Sequence, residues 1–208
     1  MSVRKELHLI SQKIRALSQN GLVYAENEYD RERYEELFNL SNKISALIHQ
    51  QDIGLIEKCF TLQDDYVTPK TDVRAVVFNE NNEILLVQEK ADARWSLPGG
   101  WADVGFSPVE VAEKEVKEET GLDVKAKRLL AVLDKQKHPH PPAAHYVYKI
   151  FILCEITGGA FSQAFDILDK GFFKQGQLPP LSKERVLIEQ IDLMFEYNNN
   201  PTKEAIID

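Results

Sequence analysis

Apolar positions change their spacing near residue 66. Before it, Leu7, Ile10, Ile14 and Leu17 recur at helical intervals, and Leu37, Leu40, Ile44 and Leu47 repeat the pattern after a break at Asn20-Gly21. Two amphipathic helices are predicted. From Thr68-Pro69 onward strand character takes over: DVRAVVF, a polar turn at Asn79 to Asn82, and EILLVQE predict a hairpin. VKAKRLLAVLD and HYVYKIFILCEI predict two more strands around a Pro/His loop, Gly158-Gly159 marks a turn, AFDILDKGFF reads as a polar loop, and Lys183 to Tyr197 predicts a final helix. The expected division is a small α-helical domain over residues 1–66 and an α/β domain over residues 67–208, its mixed sheet covered by helices on both sides. A helical pair of this size exposes more apolar face than it buries alone. It is expected to pack on the second domain or on another subunit, a homodimer contact being favoured over a simple stabilising cap.

The middle of the chain carries the chemistry. Beyond Trp95-Ser-Leu-Pro-Gly-Gly, Ser107 is a good N-cap, Pro108 fits the first helical position, Glu110 completes a capping box, and Gly121 suits a left-handed stop. On that helix Val109, Ala112 and Val116 form one stripe, with Glu115, Glu118 and Glu119 beside it and Lys114 and Lys117 on the wetter side. Like charges at neighbour spacing cost roughly 0.2 to 0.5 kcal/mol per pair. Crowding also raises carboxylate pKa values unless a cation offsets it. Clustered glutamates alone are commonly a solvated face; the Gly-Gly turn and the marked helix ends make this cluster a candidate site for a hard divalent ion.

The segment from Gly100 to Leu122, GWADVGFSPVEVAEKEVKEETGL, closely resembles the Nudix box, G-x5-E-x7-R-E-U-x-E-E-x-G-U with U bulky and apolar. Seven of the nine fixed positions match, through Gly100, Glu115, Val116, Glu118, Glu119, Gly121 and Leu122. The departures are Phe106 for the first glutamate and Lys114 for the arginine. A lysine does not reproduce a bidentate guanidinium fork, so the geometry around the glutamates is where this chain is expected to differ. The resemblance implies a Nudix α/β/α sandwich for residues 67–208 and a metal-dependent pyrophosphohydrolase using Mg2+, with Mn2+ as a substitute. It implies Glu115 and Glu119 as ligands, the Gly100 carbonyl as a further one, and Glu118 as a ligand or as the base that accepts the proton from water. Asp166 and Asp169 are the runner-up bases. Together with the N-terminal helices, TPKTDVRAVVFNE, ARWSLPGGWADVG and KHPHPPAAHYVYK are similar to a bacterial subgroup acting on nucleoside diphosphates linked to another group, ADP-ribose and CDP-choline among them. The products implied are a nucleoside monophosphate and a phosphorylated remainder.

Composition limits the alternatives. The chain has 208 residues, 43% of them hydrophobic, enough to fill one sizeable core and a small one. No apolar run approaches a spanning helix, and the N-terminus MSVRKELHLISQK lacks the apolar core of a signal peptide, so a cytoplasmic enzyme with no membrane partner is expected. Cys59 and Cys154 sit in apolar contexts that predict buried, reduced thiols. A formal net charge of −8 argues against broad adhesion to nucleic acid. Hydrolysis of an RNA end, and a catalytically dead nucleotide sensor, remain the competing readings.

Substrate contacts are sought in cations and aromatics near the site. Arg74, Lys90 and Arg94 flank strands or loops leading to it, Arg94 being preferred; for each alone an exposed charge is the default. His138 and His140 lie in a proline-stiffened loop suited to selecting a base or head group, and they lack the companions of a zinc site. Tyr146 and Tyr148 share a strand face and are candidates to stack on a base, against core packing as the common fate of strand tyrosines. Trp95 and Trp101 carry the same ambiguity.

Overall fold

The computed structural model describes residues 3–63 and 65–208. Two compact units are formed, one from Met1–Pro69 with Ala144–Tyr146, the other from Lys70–Ala143 with Val147–Asp208.

The first unit contains α1 (Val3–Tyr24), α2 (Glu28–His49) and α3 (Ile53–Cys59). Asn20-Gly21 does not break α1. Gly21 instead lets the Tyr34 ring of α2 lie against the helix, where a Cβ would collide with it. The chain turns at Ala25 to Asn27, and the Asn27 side chain caps α2 by accepting from Asp30 N at 2.9 Å. The seam between α1 and α2 is polar: Ser11 Oγ donates to Ser41 O at 2.8 Å, Arg15 Nη2 donates to Ser45 Oγ at 2.9 Å, and His8 Nδ1 meets His49 Nε2 at 3.1 Å. Small serines let the two backbones approach closely. Arg15 also stacks over the Phe60 ring at 3.5 Å, and burial lowers its pKa to about 10. The leucine stripe faces outward, with Leu7, Ile10, Leu17, Leu37, Leu40 and Leu47 all exposed. Cys59 is exposed, contrary to the expectation from its apolar neighbours, because it ends a short helix; Cys154 is buried.

The second unit is built on two sheets. Its strands are β1 (Lys70–Val77), β2 (Ile84–Glu89), β3 (Trp95–Ser96), β4 (Gly99–Trp101), β5 (Leu122–Asp134), β6 (Val147–Gly159), β7 (Ile167–Phe173) and β8 (Ile206–Ile207), with helices α4 (Pro108–Thr120) and α5 (Ile188–Asn199). The larger sheet runs β4-β1-β6-β5-β8 and is mixed, with β1 parallel to β6 and β5 parallel to β8; the smaller, antiparallel one runs β3-β2-β7. The turn at Asn79 to Asn82 forms, with Asn79 N donating to Glu83 O at 3.0 Å, yet β1 and β2 meet only through the Phe78–Ile84 bridge and then enter different sheets. The predicted hairpin is thereby corrected: β1 is buried on both faces, as a central strand beside a parallel neighbour must be. AFDILDKGFF, read as a loop, supplies β7 from Ile167 onward.

The core has two layers. Val73, Ala75 and Val77 of β1 pack with Val111, Ala112 and Val116 of α4, while Val76, Phe151 and Leu130 pack on the opposite side with Ile191, Met194 and Phe195 of α5. The result is the α/β/α sandwich. Burying each Val or Phe side chain contributes about 1.5 to 3 kcal/mol before entropy is subtracted, so α4 is held rigidly enough to aim the carboxylates at its edge.

Candidate active site

Local sequence fixes both ends of α4. Glu110 N donates to Ser107 Oγ at 3.3 Å and Ser107 N donates to Glu110 Oε2 at 2.8 Å, closing the capping box. Gly121, at φ 87°, ends the helix and donates to Lys117 O at 2.9 Å. With Val111, Ala112 and Val116 anchored below, Glu119 turns inward and is 7% exposed, Glu115 is half-buried, and Glu118 stays in solvent. Val109 of the predicted stripe is exposed.

The Pro-Gly-Gly turn meets these carboxylates directly. Gly99, at φ 142°, donates its N–H to Glu119 Oε2 at 3.1 Å, and a Cβ there would strike the Val73 carbonyl of the paired strand. A Cβ on Gly100 would lie 3.2 Å from Glu115 Oε1. Glycine is needed at 99 for this close approach, whereas at 100 a side chain would require the Glu115 carboxylate to give way by a few tenths of an ångström.

Electrostatics set this cluster apart. Burial, with the nearby Glu115 and Glu89 charges, pushes Glu119 up to about 8 against the opposing pull of Arg74 and Gly99 N–H. Burial likewise raises Glu115, helped by Glu118 and Asp166 and opposed by Lys114 and Arg74. Arg74 is buried, donating from Nε to Asp72 Oδ1 at 2.9 Å and from Nη1 to Leu97 O at 3.0 Å. Asp72 also pairs with the fully buried Lys149. Burial opposes the Asp72 charge, but Arg74 and Lys149 outweigh it and hold the carboxyl below its ordinary range.

Of the residues singled out in the sequence, the structure gathers Gly100, Glu115, Glu118 and Glu119, with Asp166 close enough to raise Glu115. Arg74 lies among these charges as a buried partner of Asp72 rather than an exposed contact. Others are engaged elsewhere. His140 is buried between Lys183 O (2.7 Å from Nδ1) and the Gln190 amide (3.1 Å from Nε2), so its expected exposure to substrate is corrected; the stiff loop folds it into the interior. His138 Nε2 lies 2.9 Å from Asp208 Oδ2. Arg94 is exposed on the turn after β2, and Tyr146 belongs to the helical unit. Two participants had no sequence signal: Glu89, buried at the end of β2 and held by Ser96 and Arg185, and Lys170, whose Nζ donates to Glu119 O at 3.3 Å.

The donors fit a hard divalent cation, being oxygens whose mutual repulsion a positive ion would relieve. Among the described residues no three His, Cys, Asp or Glu side chains form a group that holds an ion by themselves. Among the described residues, too, no helix is long and apolar enough to cross a membrane.

Comparisons with known proteins agree with this architecture. Residues 68–186 match the NUDIX domain model, and residues 5–60 match the UDP-X-like, N-terminal oligomerisation domain. A Bacillus subtilis (strain 168) protein, YjhB, provisionally named an ADP-ribose pyrophosphatase, is 46% identical over 95% of both chains. Among solved structures, an ADP-ribose pyrophosphatase from Streptococcus suis is 46% identical, covering 68% of this chain and all of its own at a TM-score of 0.62. A UDP-X diphosphatase is 32% identical over 99% of both chains at a TM-score of 0.64. The fold and the glutamate helix are those of a hydrolase domain with an added helical module. The chain belongs to the Nudix hydrolase family, whose members generally use divalent metal ions.

Proposed function

We propose that this chain hydrolyses the diphosphate bridge of nucleoside diphosphate-X compounds, with ADP-ribose favoured by its relatives and UDP-linked compounds and CDP-choline as further substrates. Water attacks one phosphorus, the bridging P–O bond breaks, and a nucleoside monophosphate leaves with a phosphorylated X. The carrying observation is the pair of crowded, burial-raised carboxylates, Glu115 and Glu119, held at Gly99-Gly100 on a rigid helix edge.

Magnesium, with manganese as substitute, would be held by Glu115, Glu119, Glu118 and the Gly100 carbonyl, supplying Lewis acidity and charge neutralisation for the diphosphate. Gly99 N–H fixes the Glu119 carboxylate through one oxygen and leaves the other available. Glu118, exposed and within the same cluster, is the candidate base that accepts the proton from water, with Asp166 and Asp169 as the runners-up. Arg74 limits the repulsion within the cluster from its buried seat. Arg94 and Lys90, both exposed, are the candidate phosphate contacts, and His138 the candidate selector of base or X. Residues 1–66 form the helical domain and join two copies into a homodimer through the outward leucines; the match to an oligomerisation domain supports this.

The test is a nucleoside diphosphate-X panel with Mg2+ or Mn2+, resolving products by mass in heavy-oxygen water. The expected result is two phosphorylated products, one of them labelled. Absence of turnover with either ion, or activity that survives thorough chelation, overturns the reading.

A further inference from the structure

Phe106 and Lys114, the two departures from the Nudix spacing, meet in space. Lys114 Nζ lies 5.5 Å from the centroid of the Phe106 ring, 3.9 Å from Asp103 Oδ2 and 3.5 Å from Glu118 Oε2. The ring and the Asp103 carboxylate come from the loop before α4, whereas Glu118 comes from the next turn of the helix. That loop is secured at its ends, where Ala102 N donates to Thr71 O at 2.9 Å and the capping box closes on Ser107. Its middle contains Gly105 at φ 97° and a fully exposed Val104, and is joined to α4 through Lys114.

An ammonium suits three partners better than a guanidinium would. Its charge is compact and its donors point in divergent directions, while a guanidinium fork favours one planar carboxylate. A ring face attracts the cation without competing for its protons. The carboxylate missing at position 106 is supplied three residues earlier, at Asp103.

We propose that Asp103, Phe106 and Lys114 form a latch that orients Glu118, with Asp103 replacing the charge absent at 106 and Phe106 seating the ammonium. All three are positioning residues. This rests on the hydrolase reading for its kinetic arm alone. The Asp103 side chain is 69% exposed, so each contact is weak and single changes have modest effects.

The experiment measures Mn2+ binding from the magnetic-resonance signal of the free ion, beside kcat and KM. Asp103→Asn is expected to weaken Mn2+ binding about threefold and to lower kcat with KM unchanged. Adding Phe106→Glu, which moves the carboxylate to 106, restores both to within about twofold. Adding Val104→Glu instead, a charge on the same loop facing solvent, restores neither. Lys114→Met gives the sign: a cation acting by charge alone would repel Mn2+, so its removal would tighten binding, whereas loss of the latch loosens it. Native-like binding by Asp103→Asn, equal rescue from position 104, or tighter binding by Lys114→Met overturns the latch. A native protein that binds Mn2+ but consumes no nucleotide sinks the hydrolase reading instead, and leaves the binding arm to decide the latch.

Discussion

Asp72 and Glu119 are both nearly buried, 6% and 7% exposed, and both feel the charge of Arg74, yet their environments pull in opposite directions. Asp72 receives Arg74 Nε and Lys149 Nζ and stays ionised below its usual range. Burial, with two neighbouring anions against Arg74 and one backbone N–H, raises Glu119 to about 8. A buried carboxylate with its charge matched is a structural element; one left short of positive charge holds a place for a cation. Asp72 lies on β1 and Glu119 on α4, two elements packed against one another.

Removing Asp72 has the largest expected effect. Asp72→Asn leaves Lys149 and Arg74 buried without their anion and is expected to cost about 3 to 5 kcal/mol in urea unfolding; a loss below about 1 kcal/mol would break the contrast. His140 provides the next largest effect on the structural side. Burial, with Lys149 and Lys135 nearby, pushes it down to about 4 against the Lys183 carbonyl bond, so it is neutral in the fold. The unfolded chain binds a proton near the ordinary value of 6.5, so between there and about 4 unfolding takes up protons. Stability is therefore full above the unfolded value and falls as pH drops, by about 3 kcal/mol for this group. Urea midpoints from pH 7 to 4.5 should show that slope, and His140→Gln should flatten it.

On the functional side, Glu119→Gln and Glu118→Gln are each expected to cut turnover by roughly a hundredfold or more with the fold intact. Glu119→Gln should leave the metal-free urea midpoint equal or higher, since it removes a carboxyl whose ionisation the fold opposes; a clear drop would make Glu119 structural, like Asp72. The smallest effect is linkage. Mn2+ at about ten times its dissociation constant should add about 1.4 kcal/mol of stability, read as a raised melting temperature and absent in Glu119→Gln.

Legibility in the sequence followed the range of the interactions. Ser107, Pro108, Glu110 and Gly121 act within one or two turns, so α4 and its caps could be read directly. The family spacing led to the glutamates and glycines for the same reason. Strand partners are chosen at long range, so the local pattern joins β1 and β2 as a hairpin although β1 takes its partners from β4 and β6. β7 carries no strand signal because DILDKGFF is half polar, lying mostly at partial exposure. The loop histidines show the limit clearly: nothing near His140 in sequence announces Lys183 or Gln190. The polar seam of α1 and α2 did have a signal. His8, Ser11, Arg15 and Ser18 recur at helical spacing opposite the leucines, but an apolar stripe draws attention first.

That seam makes α1 and α2 a pair wrapped with its greasy side out, Leu17 at 60% and Leu47 at 79% exposed. If a second copy supplies the missing cover, robustness stops being a property of one chain and becomes a property of the solution. Dilution alone should then soften the protein, and its melting point should climb with concentration as mass action requires.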